Sequence, residues 1–308
     1  MIGTLRRHPF VTMTVAFPLV VALALTGGFL LWLNGVRLPY ASGSVWFAVT
    51  KNAAADYTPG PDKPIFLLAV GNDGRPGETS TRGDAIHLIG VNPAQHKATI
   101  LDFPRDTGLP IPGHGVDKVN SSHVDGGAAL EAQTLGNAVG VQVPYAIDVG
   151  FGGFVDMVDD MGGLQVNVPE AMNDANSGAH IPAGPIKMSG ATALAFSRNR
   201  HQFPTGDLKR SENQGYLILS ALGQLRAQNT GPVDTLKLLA NLGRHTQLSG
   251  LGLDDLYDLG RFGLSIDPAN VRNVVIPVVQ GGGTRLNLGP GAQELFADFR
   301  DDAVLESH

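Results

Sequence analysis

Between Phe10 and Leu33 the chain runs for 24 residues without a single charge. As a helix rising about 1.5 Å per residue, that run spans about 36 Å, more than the roughly 30 Å hydrocarbon core of a bilayer. Pro18 and the Gly27-Gly28 pair weaken a soluble helix but are tolerated in a membrane span. A cleaved signal peptide has an apolar core of roughly 7–15 residues and a small-residue exit site. This core is longer, and the Leu31-Trp-Leu-Asn-Gly35 that ends it is a poor cleavage site. The expectation is an uncleaved anchor. Arg6 and Arg7 precede the run and place residues 1–9 in the cytoplasm, so that everything beyond residue 33 lies outside.

Residues 34–64 read as a juxtamembrane linker, closed by Tyr57-Thr-Pro-Gly-Pro-Asp-Lys-Pro64, whose prolines stop helix and strand alike. Structure is predicted to start at once afterwards and to form one domain over residues 65–308. Ile65–Gly71, Ala85–Val91 and Ala98–Phe103 are apolar runs of strand length. The short Asn92–Lys97 connection suits a hairpin between the second and third. Helical spacing is read over Gly126–Val139, Phe154–Met161, Ser211–Ala227, Leu236–Leu242, Leu253–Leu264 and Ala292–Phe299. Further strands are read at Leu164–Val168, Ala193–Ser197 and Asn273–Val279. Strands alternating with helices predict an α/β domain with a central sheet covered by helices on both sides.

Charge is sparse, at 16% of residues, and it collects where the predicted strands end. Asp73 and Arg75 follow the first strand, Arg82 and Asp84 precede the second, and Arg105-Asp106 follow the third. Arg198-Asn-Arg200-His201 follow the run Ala193–Ser197, and on a strand end Arg198 and Arg200 would share a face. Asp207 and Arg210 stand three apart at a predicted helix start, where anions are favoured, and Asp207 also suits a helix cap. Each piece has an ordinary alternative as a turn, a surface pair or a cap. Together they suggest a polyanion gripped by guanidinium forks, with a hard divalent cation between carboxylate and phosphate.

Composition removes competing chemistries. There is no cysteine, hence no disulfide, thiolate nucleophile or cysteine-held metal. The net charge of −6 argues against coating nucleic acid. No G-x-x-x-x-G-K-[ST], G-x-S-x-G or H-E-x-x-H occurs.

The motifs taken in order resemble those of the LytR–CpsA–Psr family of bacterial cell-envelope proteins. They are Gly71-Asn-Asp-Gly-Arg75, Arg82-Gly-Asp84, Pro104-Arg-Asp106, Ile111-Pro-Gly-His-Gly115, Asp117-Lys-Val-Asn120 and Gly126-Gly127. Phe151-Gly-Gly-Phe-Val155, Gly162-Gly-Leu-Gln-Val-Asn-Val-Pro169, Ser197-Arg-Asn-Arg200 and Gly206-Asp-Leu-Lys-Arg-Ser-Glu-Asn-Gln214 complete the series. Phe203-Pro-Thr-Gly-Asp207 looks most like the actinobacterial branch.

The resemblance implies an α/β/α sandwich with a mixed sheet behind one transmembrane helix. It also implies an extracytoplasmic phosphotransferase in the cell envelope. Such an enzyme moves a glycopolymer from a polyprenyl-pyrophosphate carrier onto peptidoglycan, forming a phosphodiester, with a pyrophosphatase side activity on the carrier. Asp73 and Asp84 look like carboxylates around Mg²⁺, with Mn²⁺ as an alternative. Arg105, Arg198, Arg200 and Arg210 look like a pyrophosphate clamp, ordered by Asp207 and Gln214, with Arg75 and Arg82 at the rim. Asp84 and Asp207 are the alternatives for the base. Gly74 and Gly83 depart from the family, which often has serine at both. Two other functions compete with the transferase: a non-catalytic module that holds carrier lipid or glycan, and, more distantly, a transcription attenuator.

Overall fold

The apolar runs after Pro64 form the middle of a sheet: β1 (Ile65–Asn72), β2 (Gly83–Asn92) and β3 (Lys97–Asp102). The computed structural model describes residues 63–74, 81–203, 205–229, 231–250 and 253–306. All lie in the second of two units, Met1–Trp46 and Phe47–His308. The expected tail, span and linker up to residue 62, and Arg75, fall outside the described residues. Among those described, no helix is long and apolar enough to cross a membrane.

β1 and β2 pair antiparallel, as do β2 and β3 through the predicted hairpin, with Asn92 opposite Lys97. β6 (Tyr145–Gly150) lies parallel to β1, and β12 (Val271–Val275) lies parallel to β3. β11 (Gln247–Ser249) closes one edge, giving the order β11-β6-β1-β2-β3-β12. The sheet is mixed, as expected. Its directions bring the C-terminal ends of β1, β3, β6 and β12 to one rim together with the N-terminal end of β2.

Side-chain alternation splits the strands between two cores. Phe66, Leu68, Val70, Leu88 and Leu101 pack with Ala132 and Leu135 of α1 (Val119–Val139) and Phe296 and Phe299 of α7 (Ala292–Asp302). Ile65, Val91 and Ala98 face the other way, toward Leu239 of α5 (Pro232–His245) and Leu256 of α6 (Leu253–Ser265). Helices therefore cover both faces. A third cluster joins Val158 of α2 (Phe151–Asp160), Phe196 of α3 (Gly190–Arg198) and Leu217 of α4 (Asp207–Gln228) to the two-stranded antiparallel sheet of β7 (Leu164–Val168) and β10 (Gly184–Met188).

Several expectations need correction. Ala193–Ser197 is not a strand but part of α3. Its Gly-Ala-Thr-Ala-Leu-Ala-Phe sequence favours helix, the Ser189 hydroxyl caps it by accepting from the Thr192 amide, and Ala193 and Phe196 bury one face. The argument placing Arg198 and Arg200 on one strand face falls with it. α4 starts four residues before the predicted Ser211, with Asp207 as its first residue and Gly206 as the cap. Asp207 is therefore not a cap but sits inside the first turn. The predicted strand Asn273–Val279 is two, β12 and β13 (Val278–Gln280). The strand β6 went unread because Asp148 interrupts its apolar run.

Candidate active site

The rim of the sheet collects most of the charges singled out in the sequence. Asp84 opens β2, and Arg105 lies on the loop after β3. Arg105 Nη1 donates to Asp84 Oδ1 at 2.6 Å, across the gap between the two strand ends. α4 points its first turn at the same rim. Asp207 Oδ1 accepts from Arg200 Nη1 at 2.9 Å and lies 3.5 Å from Arg210 Nη1. Gln214, one turn further along α4, donates to the Ser197 carbonyl at 3.1 Å and so ties α4 to the end of α3.

The electrostatics bind these pairs into one cluster. Burial lowers the Arg210 pKa, as do Arg105 and Arg200, against the opposing pull of Asp207 and Asp84. Burial would raise the Asp207 carboxyl, yet Arg210, Arg200 and Arg105 hold it below its ordinary value. Burial would lower the Arg105 guanidinium, but Asp84, aided by Asp207 and Asp106, raises it. Three arginines thus face two carboxylates.

The cluster is not closed. Arg105 Nε, Arg210 Nε and Arg210 Nη2 are buried with no hydrogen-bond partner among the described residues. A guanidinium N–H left unpaired in a buried site is costly, so the arrangement is complementary to an incoming anion.

Other expected members make different contacts. Arg198 is exposed, with its guanidinium 5.2 Å from the centre of the Phe151 ring. Asp73 Oδ1 accepts from the Arg82 backbone N–H at 2.7 Å, and the Arg82 side chain is exposed. No group of three or more His, Asp or Glu side chains among the described residues is arranged to hold a metal by itself. A cavity of about 230 Å³ between α2, α4 and α5, lined in part by Asp160 and Asn241, contains none of the clamp residues.

Behind the rim, on the α1 side, lies a second polar cluster absent from the sequence reading. His123, Asp148 and Glu131 are all buried, at 7%, 8% and 0% exposure. Burial pushes the Glu131 carboxyl up to about 8. Burial would lower His123, but its bond to Asp148 and the charge of Glu131 take it up to about 9. His123 and Glu131 stand on the two sides of a break in one helix and Asp148 on a strand, so no spacing signal marks them in a sequence.

Residues 47–291 match the LytR_cpsA_psr family. A relative from Bacillus anthracis, named polyisoprenyl-teichoic acid–peptidoglycan teichoic acid transferase TagU, is 32% identical over 200 residues. That stretch is 64% of this chain and spans only 64% of the relative's length. A probable cell wall biosynthesis protein, LcpB of Corynebacterium glutamicum, is 29% identical over 305 residues, 93% of this chain and 70% of that one. Two solved structures share the fold. B. subtilis TagV matches with a TM-score of 0.68 at 18% identity, covering 80% of this chain and 99% of that one. The LytR-Csp2A-Psr enzyme from Actinomyces oris matches at 0.63 and 24%, covering 77% and 92%. With the family match running from Phe47 to Gly291, through every element of the rim, the chain belongs to the LytR–CpsA–Psr family.

Proposed function

We propose that this chain is a membrane-anchored transferase that moves a glycopolymer phosphate from a polyprenyl-pyrophosphate carrier onto peptidoglycan, outside the cell. The observation that carries the reading is the set of three buried, unpartnered guanidinium N–H groups on Arg105 and Arg210. The relatives' names supply the donor and acceptor classes, and the uncharged run Phe10–Leu33 supplies the anchor that keeps the site near a lipid-borne donor.

In this reading Arg105, Arg200 and Arg210 grip the pyrophosphate, and Asp207 holds the last two at the spacing the anion needs. The acceptor hydroxyl oxygen forms a bond to the glycopolymer-bearing phosphorus, the bond to the bridging oxygen breaks, and polyprenyl monophosphate leaves. Charge on the departing phosphate is met by the same guanidinium groups, so positioning and neutralisation carry the rate. Three arginines hold Asp207 in its charged form, so it serves the clamp as a fixed negative charge and is a poor proton acceptor.

Mg²⁺ suits the donor set. It is commonly held by one or two carboxylates together with substrate phosphates and water. Asp73 and Asp84 each have one oxygen engaged and the other without a partner among the described residues. The cation would neutralise the pyrophosphate further; Mn²⁺ fits the same donors.

The test incubates the full chain in detergent with a polyprenyl pyrophosphate analogue, with and without Mg²⁺, and measures release of monophosphate lipid. Metal-dependent cleavage that disappears in Arg105→Ala and Asp84→Asn is expected. Tight lipid binding without turnover would replace the transferase with a binding module.

A further inference from the structure

Asp73 directly follows β1 and Asp84 is the second residue of β2, and the chain beside each is held by side chains from other elements. At the end of β1, Asn72 Oδ1 accepts from the Gly74 N–H at 2.8 Å, while Asn72 Nδ2 donates to Asp148 Oδ1 on β6 at 2.6 Å. Asp148 Oδ2 lies 3.1 Å from His123 Nε2 on α1. Ahead of β2, His123 Nδ1 lies 2.8 Å from the Thr81 carbonyl and 3.2 Å from its hydroxyl. A continuous line of side chains, Asn72–Asp148–His123–Thr81, thus joins the end of β1 to the residues entering β2. Arg82 and Asp73 bridge the same two points directly, the Arg82 N–H on Asp73 Oδ1 and the Arg82 carbonyl accepting from the Asp73 N–H.

His123 is suited to this place. Its two neighbours, a carbonyl and a carboxylate, are both acceptors, and an imidazolium offers a donor to each. α1 is broken at Gly126 and Gly127, and Gly127 at φ +65° adopts a backbone that side chains disfavour. His123 stands before the break and reaches Thr81, and Glu131 stands after it and reaches Gly83 at the start of β2. Glu131 lies against Gly83, where a Cβ would come within 2.5 Å of its carboxyl oxygen. The glycine that departs from the family at this position therefore makes room for a carboxyl group.

We infer that His123 is a positioning residue: it clips Thr81 to Asn72 through Asp148 and thereby sets the separation of Asp73 and Asp84. The inference rests on the proposed role of those two aspartates toward a divalent cation.

The test uses the full chain in detergent, as wild type, His123→Ala, His123→Gln and Asp84→Asn. Amide hydrogen exchange reports the clip over residues 72–84 with β3 as the internal reference. Mn²⁺ titration followed by electron paramagnetic resonance, with inorganic pyrophosphate present, reports the cation site. In His123→Ala, exchange over 72–84 is expected to speed at least tenfold with β3 unchanged, and Mn²⁺ affinity to fall about tenfold. His123→Gln, whose amide nitrogen can still donate, is expected to fall between. Unchanged exchange in both variants overturns the clip. Faster exchange with unchanged Mn²⁺ affinity, while Asp84→Asn loses it, overturns the link to the aspartates. A general loss of protection that includes β3 in both variants would make His123 a folding residue and overturn the inference. If wild type binds no Mn²⁺, the cation reading falls and with it the setting of the aspartates, whereas the exchange result still decides the clip.

Discussion

Two buried polar clusters flank the same strand ends, and they are unsatisfied in opposite senses. The arginine cluster, on the α4 side, has guanidinium N–H groups without partners. The His123 cluster, on the α1 side, leaves both Glu131 oxygens unpaired instead. An unpaired arginine cannot become neutral, so it must meet an anion or remain strained. An unpaired carboxyl can take up a proton, and burial pushes Glu131 to do so at a pKa of about 8. The first cluster can shed its cost only by meeting an anion; the second can shed its charge by taking up a proton. Incomplete hydrogen bonding thus distinguishes a binding site from a structural core only when the chemistry of the unpaired group is considered.

The contrast is sharpest at Arg210. Replacing it with alanine removes two of the three unpaired N–H groups and is expected to lower turnover about 10²–10³-fold. A loss smaller than tenfold in the monophosphate-release assay would remove the α4 side from the clamp. Arg200→Ala is expected to follow closely, because Arg200 makes the shorter bond to Asp207. Arg198→Ala should change turnover less than about threefold, since Arg198 is exposed on Phe151, a contact of about 0.5–1 kcal/mol. Equal losses for Arg198 and Arg200 would place both in the clamp after all.

On the other side of the sheet the expected effects are on stability. Gly83→Ala drives a Cβ against the Glu131 carboxyl and should cost about 1–3 kcal/mol in chemical denaturation. Combining it with Glu131→Ala should recover part of that cost, and simple additivity would mean that the two positions do not touch.

The pH response follows from the same cluster. His123 rises from 6.5 to about 9 on folding, so its contribution is complete below pH 6.5 and is lost as pH rises through 9. Glu131 rises from 4.5 to about 8, so the fold loses stability from pH 4.5 upward through 8. Both shifts have the same sign, and the melting temperature is expected to fall by several degrees between pH 6.5 and 9. Glu131→Gln, which cannot ionise, should flatten the lower part of that fall. A melting temperature that rises over this range would contradict both assignments.

Much of the frame was legible from residue order. The runs Ile65–Gly71, Ala85–Val91 and Ala98–Phe103 read as strands because they are apolar and strand-length, with turn and loop residues between them. The hairpin at Asn92–Lys97 was visible for the same reason. Asp84, Arg105, Arg200, Asp207, Arg210 and Gln214 could be named because they stand at element ends and in family motifs. Arg198 could not be separated from Arg200: that required knowing that Ala193–Ser197 winds as a helix, which leaves Arg198 outside the cluster. β6 escaped because Asp148, charged and mid-strand, masks a pattern that only its bonds to Asn72 and His123 make tolerable.

The sequence by itself determined the strands that carry the charges and the arginine-rich chemistry of the rim. These are properties of neighbouring residues: hydrophobic runs, turn formers and local motifs. Tertiary structure alone decided which guanidinium groups converge and which N–H groups remain unpaired. It also decided that Gly83, His123, Glu131 and Asp148 belong to one cluster. That cluster gathers residues spread over 65 positions of sequence, on β2, β6 and α1. Their energies come from burial and from charge at a few ångströms, and neither exists until the chain has folded.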